Sequence, residues 1–151
     1  MRILPVGVFV TICVAVLGAP SLGAGQGLVV QIQTELQTAT FHAIELAQRA
    51  NTLAGVRLHT HHVLDCLEGP KGADFYPQAA NPCDGQGAGI IPDLQTAVSR
   101  HVPGAETALR ESTIAQTLAK QALASNELNE AQPFVLVVAR HLQAASAALG
   151  K

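Results

Sequence analysis

The sequence predicts an all-α fold: an antiparallel four-helix bundle with a long disulfide-closed loop between helices 2 and 3. Three observations carry that expectation. Apolar and alanine residues recur at alternating spacings of three and four along four segments, the period of a single helix face. Short breaks at 51–55 and 125–127 join these segments in pairs, as helical hairpins require. No stretch shows the two-residue alternation of a strand.

The first 25 residues stand apart from this pattern. Arg2 precedes an apolar run from Ile3 to Leu17, Pro20 breaks the run, and Gly23, Ala24 and Gly25 follow. A charged start, a short apolar core and a small-residue exit form the layout of a secretory signal peptide, cut after Ala24 or Gly25. The run is shorter than the about 20 residues of a membrane helix, so no stable membrane insertion is expected after cleavage. The expected location is periplasmic or secreted. Removing 25 of the 151 residues leaves 126, enough for one domain over 26–151. Loss of Arg2 leaves eight basic and eleven acidic side chains, a formal charge of −3. There is no basic stripe, no Trp and one Tyr, so nucleic acid is not an expected partner.

Cys13 lies within the signal core, which leaves Cys66 and Cys83. Two cysteines in an exported chain pair more often than they bind metal as thiolates. Their bridge would close a loop of about 18 residues and stabilise by roughly 3 kcal/mol in the loop-entropy account.

Each helix has its own signature. Over 28–50, Val29, Ile32, Leu36, Ala39, Ala43, Leu46 and Ala50 fall on one stripe, and Asn51 to Gly55 carries helix-ending residue types. A second helix fits Val56 to Leu67, with Val56, Thr60, Val63 and Leu67 on one face, stopped by Glu68-Gly69-Pro70. Residues 68–91 form a long connection rich in turn signals: Lys71-Gly72, Asn81-Pro82, Asp84-Gly85 and Gly87-Ala88-Gly89. Connections of this length are usually functional or tied down. This one is neither a phosphate loop, lacking Lys-Ser or Lys-Thr, nor an EF-hand. Pro92-Asp93 restarts helix, and Pro103-Gly104 interrupts it. Residues 105–124 form the third long helix, with Ala105, Ala108, Ser112, Ala115, Ala119 and Ala122 as its seam. The fourth carries an unbroken heptad seam of Leu128, Ala131, Val135, Val138, Leu142, Ala145 and Leu149. Pro133 marks either its start or a kink.

Six histidines are the main chemical resource. His59 and His62 lie one turn apart on the second helix, a spacing that lets two imidazoles grip one metal ion. His61 and Asp65 form a second pair on another face, and Cys66 shares the stripe of His62. His42 belongs to a polar stripe with Glu35, Thr38, Glu45 and Arg49, which reads as a solvated face. The stripe neighbours of His141 are Phe134, Val137, Ala144 and Ala148, so it is either a hydrogen-bonded core residue or a ligand reaching the interior. If the second and fourth helices face each other, His59 or His62 meets His141. Asp65 and Glu45 are further ligands, or acceptors that orient an imidazole. A di-iron centre would need Glu-x-x-His on two helices, and covalent haem a Cys-x-x-Cys-His; neither is present. Met1 is the sole Met, so of the haem arrangements only bis-histidine haem b stays open, as a minor alternative. Ser99, Ser112, Ser125 and Ser146 lack a glycine elbow and the cysteines are expected to be oxidised, so an enzyme is not expected.

The export signal, the alanine-rich helices, the His59–His62 stretch and the runs Ala139-Arg140-His141-Leu142 and Ala147-Ala148-Leu149-Gly150 resemble those of small periplasmic four-helix proteins that bind divalent metals through helix-borne histidines. The resemblance covers most of the mature chain. It departs in having fewer histidines and in inserting the cysteine-bracketed loop. It implies sequestration or buffering of a divalent transition metal, Cu, Ni or Zn. The candidate ligands are His59, His62, His141, His42, His61, Asp65 and Glu45, beside the disulfide Cys66–Cys83. The alternative is a non-catalytic structural or interaction module. It would use a bundle face or the 68–91 loop, which displays Phe75, Tyr76 and Ile90-Ile91.

Overall fold

In a computed structural model, residues 22–150 are described, and the proposed signal segment lies almost entirely outside them. The described residues are all helical in their regular structure, with five α-helices and no strand. Helix α1 spans Leu22–Phe41 and runs directly into a π-helical segment, His42–Ala47. Helices α2 (Leu53–Glu68), α3 (Ile90–Ser99), α4 (Ala105–Ala124) and α5 (Leu128–Leu149) follow. The count exceeds the expected four because 90–99 stands as its own helix. Arg100 caps its end, and Gly104, at φ 78°, turns the chain into α4.

The seams of α4 and α5 bury as their spacing requires. All six seam residues of α4 are buried, and so is the α5 seam from Ala131 to Leu149. Alanine at most of these positions lets the two helices approach closely, and theirs is the broadest interface in the fold. Pro133 lies inside α5, which begins at Leu128 and continues through it.

The first helix differs from its expected stripe. Its buried line runs Ile32, Leu36, Ala39, Ala43, Ala47, whereas Leu46 and Ala50 are half-buried. The cause is the π segment, where the Gln48 N–H reaches back five residues to the Ala43 carbonyl at 2.9 Å. One extra residue per turn carries Ala47, not Leu46, into the core. Gln132 on α5 satisfies the carbonyls at this helix end, donating to Gln48 O at 2.9 Å and Ala50 O at 2.8 Å. The chain then reverses over 48–52. The Thr52 hydroxyl accepts from Gly55 N–H at 3.1 Å, so α2 starts ahead of Val56.

The polar stripe of α1 is not uniformly wet. Glu35 is fully buried, because the far end of the connection lies on it and the Gly89 N–H donates to its Oε1 at 3.1 Å. Beside it, Asp93 accepts from Gln31 at 2.7 Å and from Ala88 N–H at 2.9 Å. The connection 69–89 holds only a short 3₁₀ turn, Pro77–Ala79, and its two ends cross at glycines. Gly69 (φ 67°) and Gly89 (φ 118°) pass so closely that a Cβ on Gly89 would lie 2.6 Å from Gly69 N. The Cys66–Cys83 disulfide fastens the middle of this connection to α2. Ile90, expected on display, is fully buried, and Ile91 is half-buried. No helix among the described residues is long and apolar enough to cross a membrane.

Candidate metal centre

Three histidines converge where the π segment meets α2. His42 is the first residue of the π segment, and His59 and His62 lie one turn apart on α2. The Nδ1 atoms of His62 and His42 are 3.0 Å apart, and those of His62 and His59 are 3.2 Å apart. Each of the three residues places a ring nitrogen within 4.8 Å of the other two. Two nitrogens held tetrahedrally at the zinc–imidazole distance lie about 3.3 Å apart, so these ring-to-ring hydrogen-bond contacts are also close to the spacing that ligands around one small cation would need. All three side chains are partly exposed.

The other nitrogen of His62 settles the polarity of its ring. His62 Nε2 lies 2.6 Å from the Ala79 carbonyl oxygen. A carbonyl can only accept, so Nε2 carries the proton. In the neutral ring the lone pair then sits on Nδ1, facing His42 and His59. An imidazole N–H held by a backbone carbonyl is the usual outer partner of a metal-binding histidine, and it fixes both tautomer and ring orientation.

Electrostatics favour uncharged imidazoles at His42 and His59. Burial, then the neighbouring His62 and His59, push the His42 pKa down to about 4. Burial and His62 lower the pKa of His59 in the same way. Neutral rings are the form that binds metal.

The remaining candidate residues go elsewhere. His141 does not reach α2: its Nδ1 meets Glu111 Oε2 on α4 at 2.7 Å. His61 points away from the cluster and stacks on Tyr76, with ring centroids 4.3 Å apart. Asp65 is buried and accepts the Tyr76 N–H at 2.7 Å. Burial raises the Asp65 pKa, partly offset by that hydrogen bond and by His62. Glu45 pairs with Arg49 at 2.6 Å on the surface. Cys66 and Cys83 are joined to each other and so offer no thiolate. His42, expected on a wet face, is instead half-buried against α2. The group that sequence reasoning did not find is the Ala79 carbonyl, a backbone atom with no signature in residue type.

Compared with known protein families, curated proteins and solved structures, the chain matches none.

Proposed function

We propose that this protein binds one divalent transition metal ion, Cu, Ni or Zn, through the Nδ1 atoms of His42, His59 and His62, and that it sequesters or buffers that ion. The observation that carries this reading is the convergence of three imidazole nitrogens, 3.0 and 3.2 Å apart along the cluster, with His62 oriented from behind by the Ala79 carbonyl. Three neutral nitrogen ligands suit the borderline metals better than hard Mg or Ca, which seek oxygen. The fourth position is left to water or to an incoming ligand, which allows the ion to be passed on. The reading is one of binding, not of catalysis.

The proposal includes export to an oxidising compartment and an antiparallel four-helix arrangement of α1, α2, α4 and α5. The buried Cys66–Cys83 bridge supports the first. The short reversals at 48–52 and 125–127 support the second.

The test is titration of the purified, untagged chain with Zn(II), Cu(II) and Ni(II), with elemental analysis after dialysis. One equivalent is expected, lost in His42→Ala, His59→Ala and His62→Ala with helix content unchanged. Stoichiometric binding that survives all three substitutions would refute the site.

A further inference from the structure

The bridge and the metal cluster are neighbours in the chain and in space. Cys66 follows His62 by one turn of α2, and Cys83 follows Ala79 by four residues. The bridge therefore closes a ring of chain over 66–83, and that ring presents the Ala79 carbonyl to His62 Nε2 at 2.6 Å. Apart from the bridge and this contact, the arc rests on α2 through Tyr76 N–H to Asp65 at 2.7 Å, Asp74 N–H to Glu68 at 2.8 Å, and the stacking of Tyr76 on His61.

Ala80 adds an independent sign of constraint. Its φ is 66° and its ψ 146°, a region nearly confined to glycine that costs of the order of 1–3 kcal/mol. Such a backbone persists only where its surroundings hold it. Here it lies between the carbonyl that meets His62 and the cysteine that is tethered to α2.

We infer that the Cys66–Cys83 disulfide is the positioning element of the metal centre: it clamps the Ala79 carbonyl onto His62 Nε2, fixes His62 as an Nδ1 ligand, and makes tight metal binding conditional on oxidation of the two cysteines. The inference rests on the metal-binding reading above. With the bridge open, the arc keeps its hold on α2 at Asp74 and Tyr76, but the chain beyond Ala79 is no longer tethered, and the His62 ring can turn and exchange tautomers. Losing an outer hydrogen-bond partner of this kind typically costs about 10–100-fold in metal affinity. The bridge forms by thiol–disulfide exchange with a disulfide-bearing oxidant. Cys66 and Cys83 give up two electrons and two protons, the S–S bond forms between them, and the oxidant's own disulfide is reduced to two thiols that take up the protons. A chain still in a reducing compartment would hold metal weakly, and the completed site would appear only after oxidative folding.

The experiment compares the full oxidised chain with Cys66→Ser/Cys83→Ser, which removes the bridge without creating thiolate ligands. Two readouts are taken: Zn(II) affinity by competition with a chromophoric chelator, and the His62 ring tautomer in metal-free protein by long-range proton–nitrogen NMR. The expected result is a Kd weakened about 10–100-fold and a change at His62 from one Nε2–H tautomer to a mixture. Affinity within twofold of the oxidised chain, or an unchanged tautomer, would overturn the inference. If the double variant loses helix, two glycines inserted between Ala80 and Asn81 keep the bridge but slacken the arc, and the same losses are expected. If the oxidised chain itself fails to bind Zn(II), the metal reading falls, and the tautomer comparison still decides whether the bridge positions His62.

Discussion

Replacing Glu35 with Gln should abolish a pH dependence of stability that the fold builds into its core. Glu35 is fully buried, with Oε1 accepting from Gly89 N–H at 3.1 Å and Oε2 lacking a partner. Burial and the nearby Asp93 carboxylate raise its pKa from 4.5 to about 8. At neutral pH the folded chain thus holds a proton that the unfolded chain has lost, and stability must fall as pH rises through this window. Each pKa unit corresponds to about 1.4 kcal/mol, so the whole shift is worth at most roughly 5 kcal/mol. Histidines complicate the lower half of the window. His42, His59 and His61 have lowered pKa values, so their protonation on unfolding makes stability rise with pH up to the ordinary imidazole value. About one pH unit above it those rings are neutral in both states and no longer oppose the Glu35 contribution. Between about pH 7.5 and about pH 9 that contribution should remove about 0.8 kcal/mol. The assay is urea unfolding followed by far-UV circular dichroism at several pH values across that interval. Glu35→Gln supplies an amide in place of the protonated carboxyl, and its stability should be flat there. A wild-type chain whose stability is flat or rising across the interval, or a variant with the wild-type slope, would refute the reasoning.

Two further substitutions separate structure from function. His141→Gln should leave Zn(II) affinity unchanged in the same chelator competition, because His141 is engaged with Glu111 and not with the cluster; a loss of about tenfold or more, about 1.4 kcal/mol, would place His141 in the site. Ala80→Gly should relieve the strained φ of 66° and raise stability by about 1 kcal/mol, read as a higher thermal midpoint; an unchanged or lower midpoint would mean that the turn holds no strain.

What the sequence disclosed depended on whether the deciding contact was local. The seams of α4 and α5 were legible because a regular spacing of three and four maps directly onto one face. The pairing of His59 with His62 was legible for the same reason. The π segment was not, since a one-residue excess in a helical turn leaves no mark in composition, and it displaced Leu46 from the core in favour of Ala47. Glu35 looked solvated beside Thr38 and Arg49. It is buried by Gly89, a residue 54 positions away that arrives through the crossing of the connection. His42 was misplaced by similar logic, because the reversal at 48–52 folds α2 back across a face that the single helix would leave wet.

The partner of His141 was, by contrast, written in the sequence and could have been read. The alanine-rich seam of 105–124 and the unbroken heptad seam of 128–149 make these helices a natural pair, because small side chains on one allow close approach of the other. The turn between them is only Ser125 to Glu127, so the hairpin register is fixed by its centre at Asn126. Residues equally far from Asn126 on either side must then lie opposite each other. Glu111 and His141 are such a pair, and they meet at 2.7 Å. The apolar neighbours of His141 along its own helix suggested an inward role. The register of the adjacent helix carried the stronger constraint, because a short turn leaves the opposing residue no freedom to be anything else. The same reasoning explains why the three clustered histidines come from the other reversal of the chain. His42 and His59 flank the reversal at 48–52, so the turn that brings α2 back onto the π segment also brings their imidazoles together.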